Sequence, residues 1–318
     1  MKIVVLDGYS VNPGDMSWDG LKALGDVAVY DRTAPEEVID RVGDAEVVIT
    51  NKVALNGATL RALPSLKYVG VLATGYNIID IATARELGVV VTNIPAYSTE
   101  SVAQMVFAHL FNIVQRIDVY TAGIKDGEWC RCADFCYMKF PHMELAGKTI
   151  GVVGYGNIGS AVGRIAHAMG MDVVTSSSKS ADELPDYVRK VGMDELFRCS
   201  DVGSLHCPLT PDTRNMVDAA RLSMMKPTAI IINTGRGPLI DADALAHALD
   251  SGQIYAAGLD VMTTEPPRPD NPLLKARNCF MTPHIAWATI EARRRLMAIA
   301  FDNLKGFIEG KVVNNVAV

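Results

Sequence analysis

Thr149-Ile-Gly-Val-Val-Gly154-Tyr-Gly156-Asn-Ile-Gly159 is the stretch that decides the fold. Thr149–Val153 is a short apolar run of the kind that forms a strand buried on both faces. The residues after it change period: Ile158, Ala161, Val162, Ile165, Ala166 and Met169 recur at helical spacing, so Ile158–Met169 reads as an amphipathic helix. Between strand and helix stands G-x-G-x-x-G. Gly154 permits the tight turn, Gly156 lets the backbone approach a pyrophosphate, and Gly159 lets helix and strand pack closely. The positive helix start and its unpaired amides then hold the anion. A second β-branched run, Asp172–Ser176, ends about 20 residues on, the spacing of a dinucleotide-binding βαβ unit. The turn residues Gly154, Tyr155, Gly156, Asn157, Ile158 and Gly159 are therefore expected to line a dinucleotide.

Outward from this unit the same alternation repeats. Lys2–Leu6, Glu46–Thr50, Lys67–Leu72 and Val89–Thr92 precede it; Asp201–His206, Thr228–Asn233 and Cys279–Thr282 follow. Strands alternating with helices predict an α/β fold with parallel sheets and right-handed crossovers. Residues 1–98 read as one βα series, and a second begins at Thr149. Ser101–Val114 is apolar on several faces, which predicts a helix sandwiched between two domains. The last helix, Glu291–Glu309, suits either domain by its pattern.

A chain of 318 residues accommodates about two domains at ~150 residues each. Hydrophobic residues are 49% and charged residues 21%, ordinary globular usage. The net charge of −6 gives no general attraction to polyanions, so nucleic acid and membrane are not expected partners. Met1-Lys2 leads into only four apolar residues, and six cysteines are sparse for this length, which together predict a cytoplasmic protein without a disulfide framework.

The end of the second dinucleotide strand departs from the usual pattern. An NAD site places Asp or Glu there for the ribose 2′-hydroxyl. This chain reads Ser176-Ser177-Ser178-Lys179, and hydroxyls with a cation suit a 2′-phosphate. NADP(H) is expected to be favoured, with NAD(H) an alternative. Further on, Asn233-Thr-Gly-Arg236-Gly puts an arginine at the carboxyl end of a strand, where its planar fork suits a carboxylate. His284 in Thr282-Pro-His284 lies 19 residues after Glu265. A carboxylate beside the imidazole would orient it and favour the protonated form that a general acid needs.

Taken in order, Gly154–Gly159, His206-Cys-Pro-Leu-Thr-Pro211, Met225-Lys-Pro, Ile232-Asn-Thr-Gly-Arg236-Gly, Gly258-Leu-Asp-Val261, Glu265-Pro266 and Thr282-Pro-His284 resemble the D-isomer-specific 2-hydroxyacid dehydrogenases over essentially the whole chain. The resemblance implies Arg236 as substrate anchor, His284 as acid/base and Glu265 as its partner. It implies the Thr74 and Gly75 amides as a second hold on the substrate carboxylate, and Asp260 near the nicotinamide. Cys207, Pro208, Thr213 and Thr234, with Ser177, Ser178 and Lys179 from the strand end, complete the expected cofactor site, although the family often has an acid where Ser177 stands. The implied architecture is nested: a flavodoxin-like substrate domain of 1–98 plus 288–318 and an inserted Rossmann domain of 99–287, in a homodimer. Asp7–Asp15, Leu72–Asn77 and His284–Trp287 resemble glycerate dehydrogenases, also called hydroxypyruvate reductases. The rival expectation is a dinucleotide-sensing corepressor or scaffold of the same fold. Gln104 stands where the family often has Glu.

Other features receive plainer readings. Cys130, Cys132 and Cys136 lack the second paired spacing of a zinc site and read as a loop over the site, with no metal. His109, His142, His167 and His247 show no partner in sequence, and Arg293-Arg-Arg295 reads as a solvated helix face.

Overall fold

The computed structural model describes all residues from Met1 to Val318, and these form two compact units: Met1–Ser98 with Ala288–Val318, and Thr99–Trp287. Each has its own sheet and core.

The first unit holds five parallel strands, β1 (Lys2–Val5), β2 (Asp26–Val29), β3 (Val47–Thr50), β4 (Tyr68–Val71) and β5 (Val90–Thr92), in the order β2-β1-β3-β4-β5. All four residues of β3 and of β4 are buried, as continuous apolar runs require when helices cover both faces. The Ile290–Ile308 helix, whose pattern left its place open, belongs to this unit. Thr289 caps it by accepting from the Ala292 amide, Phe307 lies 4.9 Å from the Tyr68 ring, and Asn303 donates to the Asn93 carbonyl.

Arg293 on this helix corrects the sequence reading of a solvated face, whereas Arg294 and Arg295 are exposed. Arg293 is held by Asp15 at 2.7 and 2.5 Å and donates to the Val11 and Ala288 carbonyls, and its side chain is only 11% exposed. Arg295 donates to the Tyr97 carbonyl. A helical charge run has a solvated side and a packed side. Two of these three cations tie the helix to its own unit.

The second unit carries β6 (Thr149–Val153), β7 (Asp172–Ser176), β8 (Val188–Lys190), β9 (Val202–Leu205), β10 (Ile230–Asn233), β11 (Ala256–Leu259) and β12 (Cys279–Met281), all parallel, in the order β12-β11-β10-β9-β6-β7-β8. The Thr99–Gln115 helix, expected between two domains, sends Ala103, Val106, Leu110 and Ile113 into this unit's core, beside Ile150, Ile230 and Ile232. Three strands carry no clear signal in the sequence. β2 and β8 are short edges with few buried residues, and β11 is the buried run Ala-Ala-Gly-Leu, without a β-branched residue. No helix is long and apolar enough to cross a membrane.

This topology gathers the chemistry. Gly154, the Ser177–Lys179 turn, Cys207, Arg236, Asp260 and His284 each follow the carboxyl end of one of these parallel strands, the edge where α/β sheets bind ligands.

Candidate active site

The glycine turn has the geometry that its residues require. Gly154 sits at φ +86°, and a Cβ there would come within 2.8 Å of the Cys207 amide nitrogen, so only glycine lets the turns after β6 and β9 meet. A Cβ at Gly159 would collide with the Gly154 carbonyl, whereas one at Gly156 would meet nothing within 4 Å. Open space therefore lies against the start of the Asn157–Ala168 helix, which has no side-chain cap. Tyr155 turns its ring into the hydrophobic core, which leaves its backbone as the part that can serve a ligand.

Around this turn, buried polar atoms lack partners. The hydroxyls of Ser177 and Thr234 are buried without a hydrogen bond. A buried orphaned hydroxyl costs about 1–3 kcal/mol, and a bound ligand with matching groups offsets it. The open helix start and these two hydroxyls fit a dinucleotide. Ser178 is exposed and Lys179 partly so. The structure adds Lys190, opposite Thr175 in the β7–β8 register, whose ammonium donates to the Lys179 carbonyl. Glu183, shortly after this turn, is engaged: it accepts the Ser180 amide and hydroxyl at 2.8 Å each, bonds that lower its pKa. On the turn after β9, Cys207 rests its sulfur 3.6 Å from that of Met216, and burial pushes its thiol pKa up. Thr213 donates to the Pro208 carbonyl at 2.8 Å and shapes this turn.

The acid–base group assembles from three loops. Glu265 Oε2 and His284 Nδ1 are 2.6 Å apart, while Oε1 accepts the Met262 amide at 3.0 Å. The pair is partly open to solvent, at 28% for His284 and 37% for Glu265. With Nδ1 engaged, Nε2 is the nitrogen left for proton transfer. Arg236 follows β10 on an exposed turn braced by Asn233, which accepts the Gly235 amide at 3.0 Å and donates to the Arg236 carbonyl at 2.9 Å. A Cβ on the neighbouring Gly237 would collide with the Met262 carbonyl, so this glycine brings the Arg236 turn against the Glu265 loop.

His284 adopts φ +55°, a left-handed conformation that persists only where its surroundings hold it. Its amide donates to the Asp260 carbonyl at 2.8 Å, and its carbonyl accepts Trp287 Nε1 at 2.8 Å. Asp260, read in sequence as a nicotinamide neighbour, is 1% exposed and accepts from Thr282 Oγ1 at 2.6 Å, the Ile285 amide at 2.9 Å and the Ala286 amide at 2.8 Å. Its observed work is to hold the loop that presents His284.

In the first unit, Thr74 donates its hydroxyl to the Ile94 carbonyl and accepts Asn93 Nδ2 on its own carbonyl, both at 2.8 Å, which fixes the Thr74–Gly75 turn. Lys190 and the Asp260 brace are the parts that sequence reading missed. β8 is too short to carry a signal in sequence, and a motif names Asp260 without showing where its oxygens point.

A model of the family described as D-isomer specific 2-hydroxyacid dehydrogenase, NAD binding domain, matches residues 107–286. The chain is 48% identical over 318 residues to the hydroxypyruvate reductase of Blautia hydrogenotrophica, covering 99% of each chain. It is 40% identical over 288 residues to the glycerate dehydrogenase of Methylorubrum extorquens, 90% of each. Among solved structures, an acyclic imino acid reductase in complex with NADPH and D-Arg superposes with a TM-score of 0.86 at 33% identity, covering 99% of this chain and 100% of that one. With the Arg236, Glu265 and His284 geometry in place, the chain belongs to the D-isomer-specific 2-hydroxyacid dehydrogenase family and is an oxidoreductase with an NAD-binding Rossmann domain.

Proposed function

We propose that this enzyme reduces a small 2-oxo acid, hydroxypyruvate foremost and glyoxylate as a further substrate, to the D-2-hydroxy acid. The observation that carries the reading is the Glu265–His284 pair at 2.6 Å beside the braced Arg236 turn. Arg236 offers a planar fork to the substrate carboxylate, fixing the 2-carbonyl in one orientation. Thr74 and Gly75, in the first unit, keep their proposed role as amides for a carboxylate. Gly154–Gly159, the Ser177 and Thr234 hydroxyls, the Cys207–Pro208 turn and Thr213 would hold the dinucleotide, whose reduced nicotinamide supplies the hydride when bound. His284 holds the proton on Nε2 and delivers it to the carbonyl oxygen as charge develops there, while Glu265 faces the imidazolium with the opposite charge. Arg236 stabilises the same developing negative charge. Asp260 keeps one carboxylate oxygen with a single donor, Ala286, and so retains capacity for a carboxamide.

Support for NADP(H) over NAD(H) comes from the end of β7. Ser176–Ser178 places hydroxyls where an NAD site has a carboxylate, and Lys179 and Lys190 bring two cations to the turn. Support for a homodimer comes from exposed apolar side chains concentrated in one sequence region: Phe111, Ile117, Ile124, Trp129, Phe135 and Met138. We assign the enzyme to the cytoplasm. Initial rates of NADPH and NADH oxidation with hydroxypyruvate, glyoxylate and pyruvate test this reading. The expected result is the highest kcat/KM for hydroxypyruvate with NADPH; tight cofactor binding without turnover of any 2-oxo acid would overturn it.

A further inference from the structure

His109 is a buried titratable side chain that the proposed chemistry does not use. It lies on the core-facing side of the Thr99–Gln115 helix, 5% exposed, next to Val106 and Leu110. An imidazole in such surroundings is costly unless it is hydrogen-bonded. Its hydrogen-bond partner is Thr282, whose Oγ1 lies 3.1 Å from Nε2. Room for this approach comes from β11, because a Cβ on Gly258 would come within 2.8 Å of the His109 Cβ.

The direction of the bond follows from the groups beyond it. Both Asp260 oxygens already accept a backbone amide, and the Thr282 hydroxyl donates its only proton to Oδ1 at 2.6 Å. Thr282 Oγ1 therefore presents a lone pair to His109, and Nε2 is the donor. Burial lowers the His109 pKa while the nearby Asp260 charge raises it, and a neutral ring protonated on Nε2 meets this demand. The result is one directed chain: His109 to Thr282, Thr282 to Asp260, and Asp260 receiving the amides of Ile285 and Ala286, with its carbonyl receiving that of His284. Residues on both sides of His284 are thus tied to one carboxylate, and these ties hold His284 at its strained φ of +55°.

We infer that His109 is a positioning residue for the reaction, acting through Thr282 and Asp260 to hold the His284 loop in its reactive conformation. The inference rests on the proposed acid role of His284. It assigns to the helix a function in catalysis beyond packing: without the Nε2 donor, Thr282 can rotate, Asp260 loses its aligned proton, and His284 samples other orientations.

The test compares His109→Leu, His109→Gln and Thr282→Val in the full-length enzyme with NADPH and hydroxypyruvate. His109→Leu should lower kcat about 10-fold while KM for hydroxypyruvate and the NADPH Kd stay within about twofold, because the loop's aim changes while Arg236 and the glycine turn that hold the ligands do not. His109→Gln keeps an N–H donor at similar reach and should restore most of kcat. Thr282→Val should match His109→Leu, and the double variant should lose little more than either single one, since both break one chain. Wild-type kcat in His109→Leu would overturn the inference, as would equal losses in the Leu and Gln variants. If His109→Leu fails to fold, the other two decide: reduced kcat in Thr282→Val with near-normal kcat in His109→Gln supports the relay, and normal kcat in Thr282→Val overturns it. His284→Ala separates the two levels. An unchanged kcat there removes the proposed acid role, whereas collapse there with normal His109→Leu and Thr282→Val removes only the relay.

Discussion

The two ends of the second unit's sheet are finished in different ways. Beyond β10, β11 and β12 the reactive groups are held by the protein itself: Asn233 braces the Arg236 turn, both Glu265 oxygens are engaged, and Asp260 gathers the loop around His284. Beyond β7 the protein leaves a buried hydroxyl at Ser177 without a partner and brings Lys179 and Lys190 to an accessible turn. Proton transfer needs its donor and anchor aimed before substrate arrives, since small displacements are costly in rate. Cofactor choice needs only complementary charge, which the bound ligand completes. The preformed end should therefore fail steeply when altered, and the ligand-completed end should shift preference.

The largest effect is expected at the preformed end. Arg236→Ala removes a charge-assisted hold on a carboxylate, and kcat/KM for hydroxypyruvate should fall about 10³-fold in steady-state assays, with the NADPH Kd little changed. A loss below about tenfold would break the contrast.

At the other end, Ser177→Asp places a carboxylate where a 2′-phosphate is proposed. The NADPH KM should rise about 10–100-fold while the NADH KM holds or falls, because like charges at contact cost a few kcal/mol. Lys179→Ala and Lys190→Ala should each raise the NADPH KM several-fold and spare NADH. An equal change for both cofactors in these variants would refute the selective role of the turn.

The smallest effect concerns stability rather than rate. His206, bonded to Ser204 Oγ at 2.8 Å, has its pKa pushed down by burial to about 4 from the ordinary 6.5. Below pH 6.5 the unfolded chain takes up a proton that the folded one refuses until about pH 4, so stability falls across this window. From pH 7 to 5 the loss should reach about 2 kcal/mol. Urea unfolding at the two pH values checks it, with His206→Gln expected to lose less than the wild type over the same interval.

The same contrast governs what was legible in the sequence. The glycine turn was readable because φ +86° at Gly154 and the close approach to Gly159 leave few residue choices. The Glu265–His284 pair was readable as spacing, though only the fold brings the 19-residue gap to 2.6 Å. Arg293 could not be placed, since a helix period does not tell which charged positions meet a partner such as Asp15. Lys190 lay on an edge strand too short to read, and β11 is too small-residued to announce itself. His109 sat in an apolar helix, and its meaning depends on Thr282, which lies on a strand end far away in sequence. Backbone requirements leave traces in local sequence. Side-chain partnerships across elements do not.

The central claim is that His284, held against Glu265, is the acid that completes reduction of the 2-oxo acid. It is tested most directly by kcat of purified His284→Ala for hydroxypyruvate with saturating NADPH, with cofactor binding measured in parallel. The account predicts a loss of about 10²–10⁴-fold with an unchanged NADPH Kd. A folded variant that turns over near the wild-type rate would contradict it.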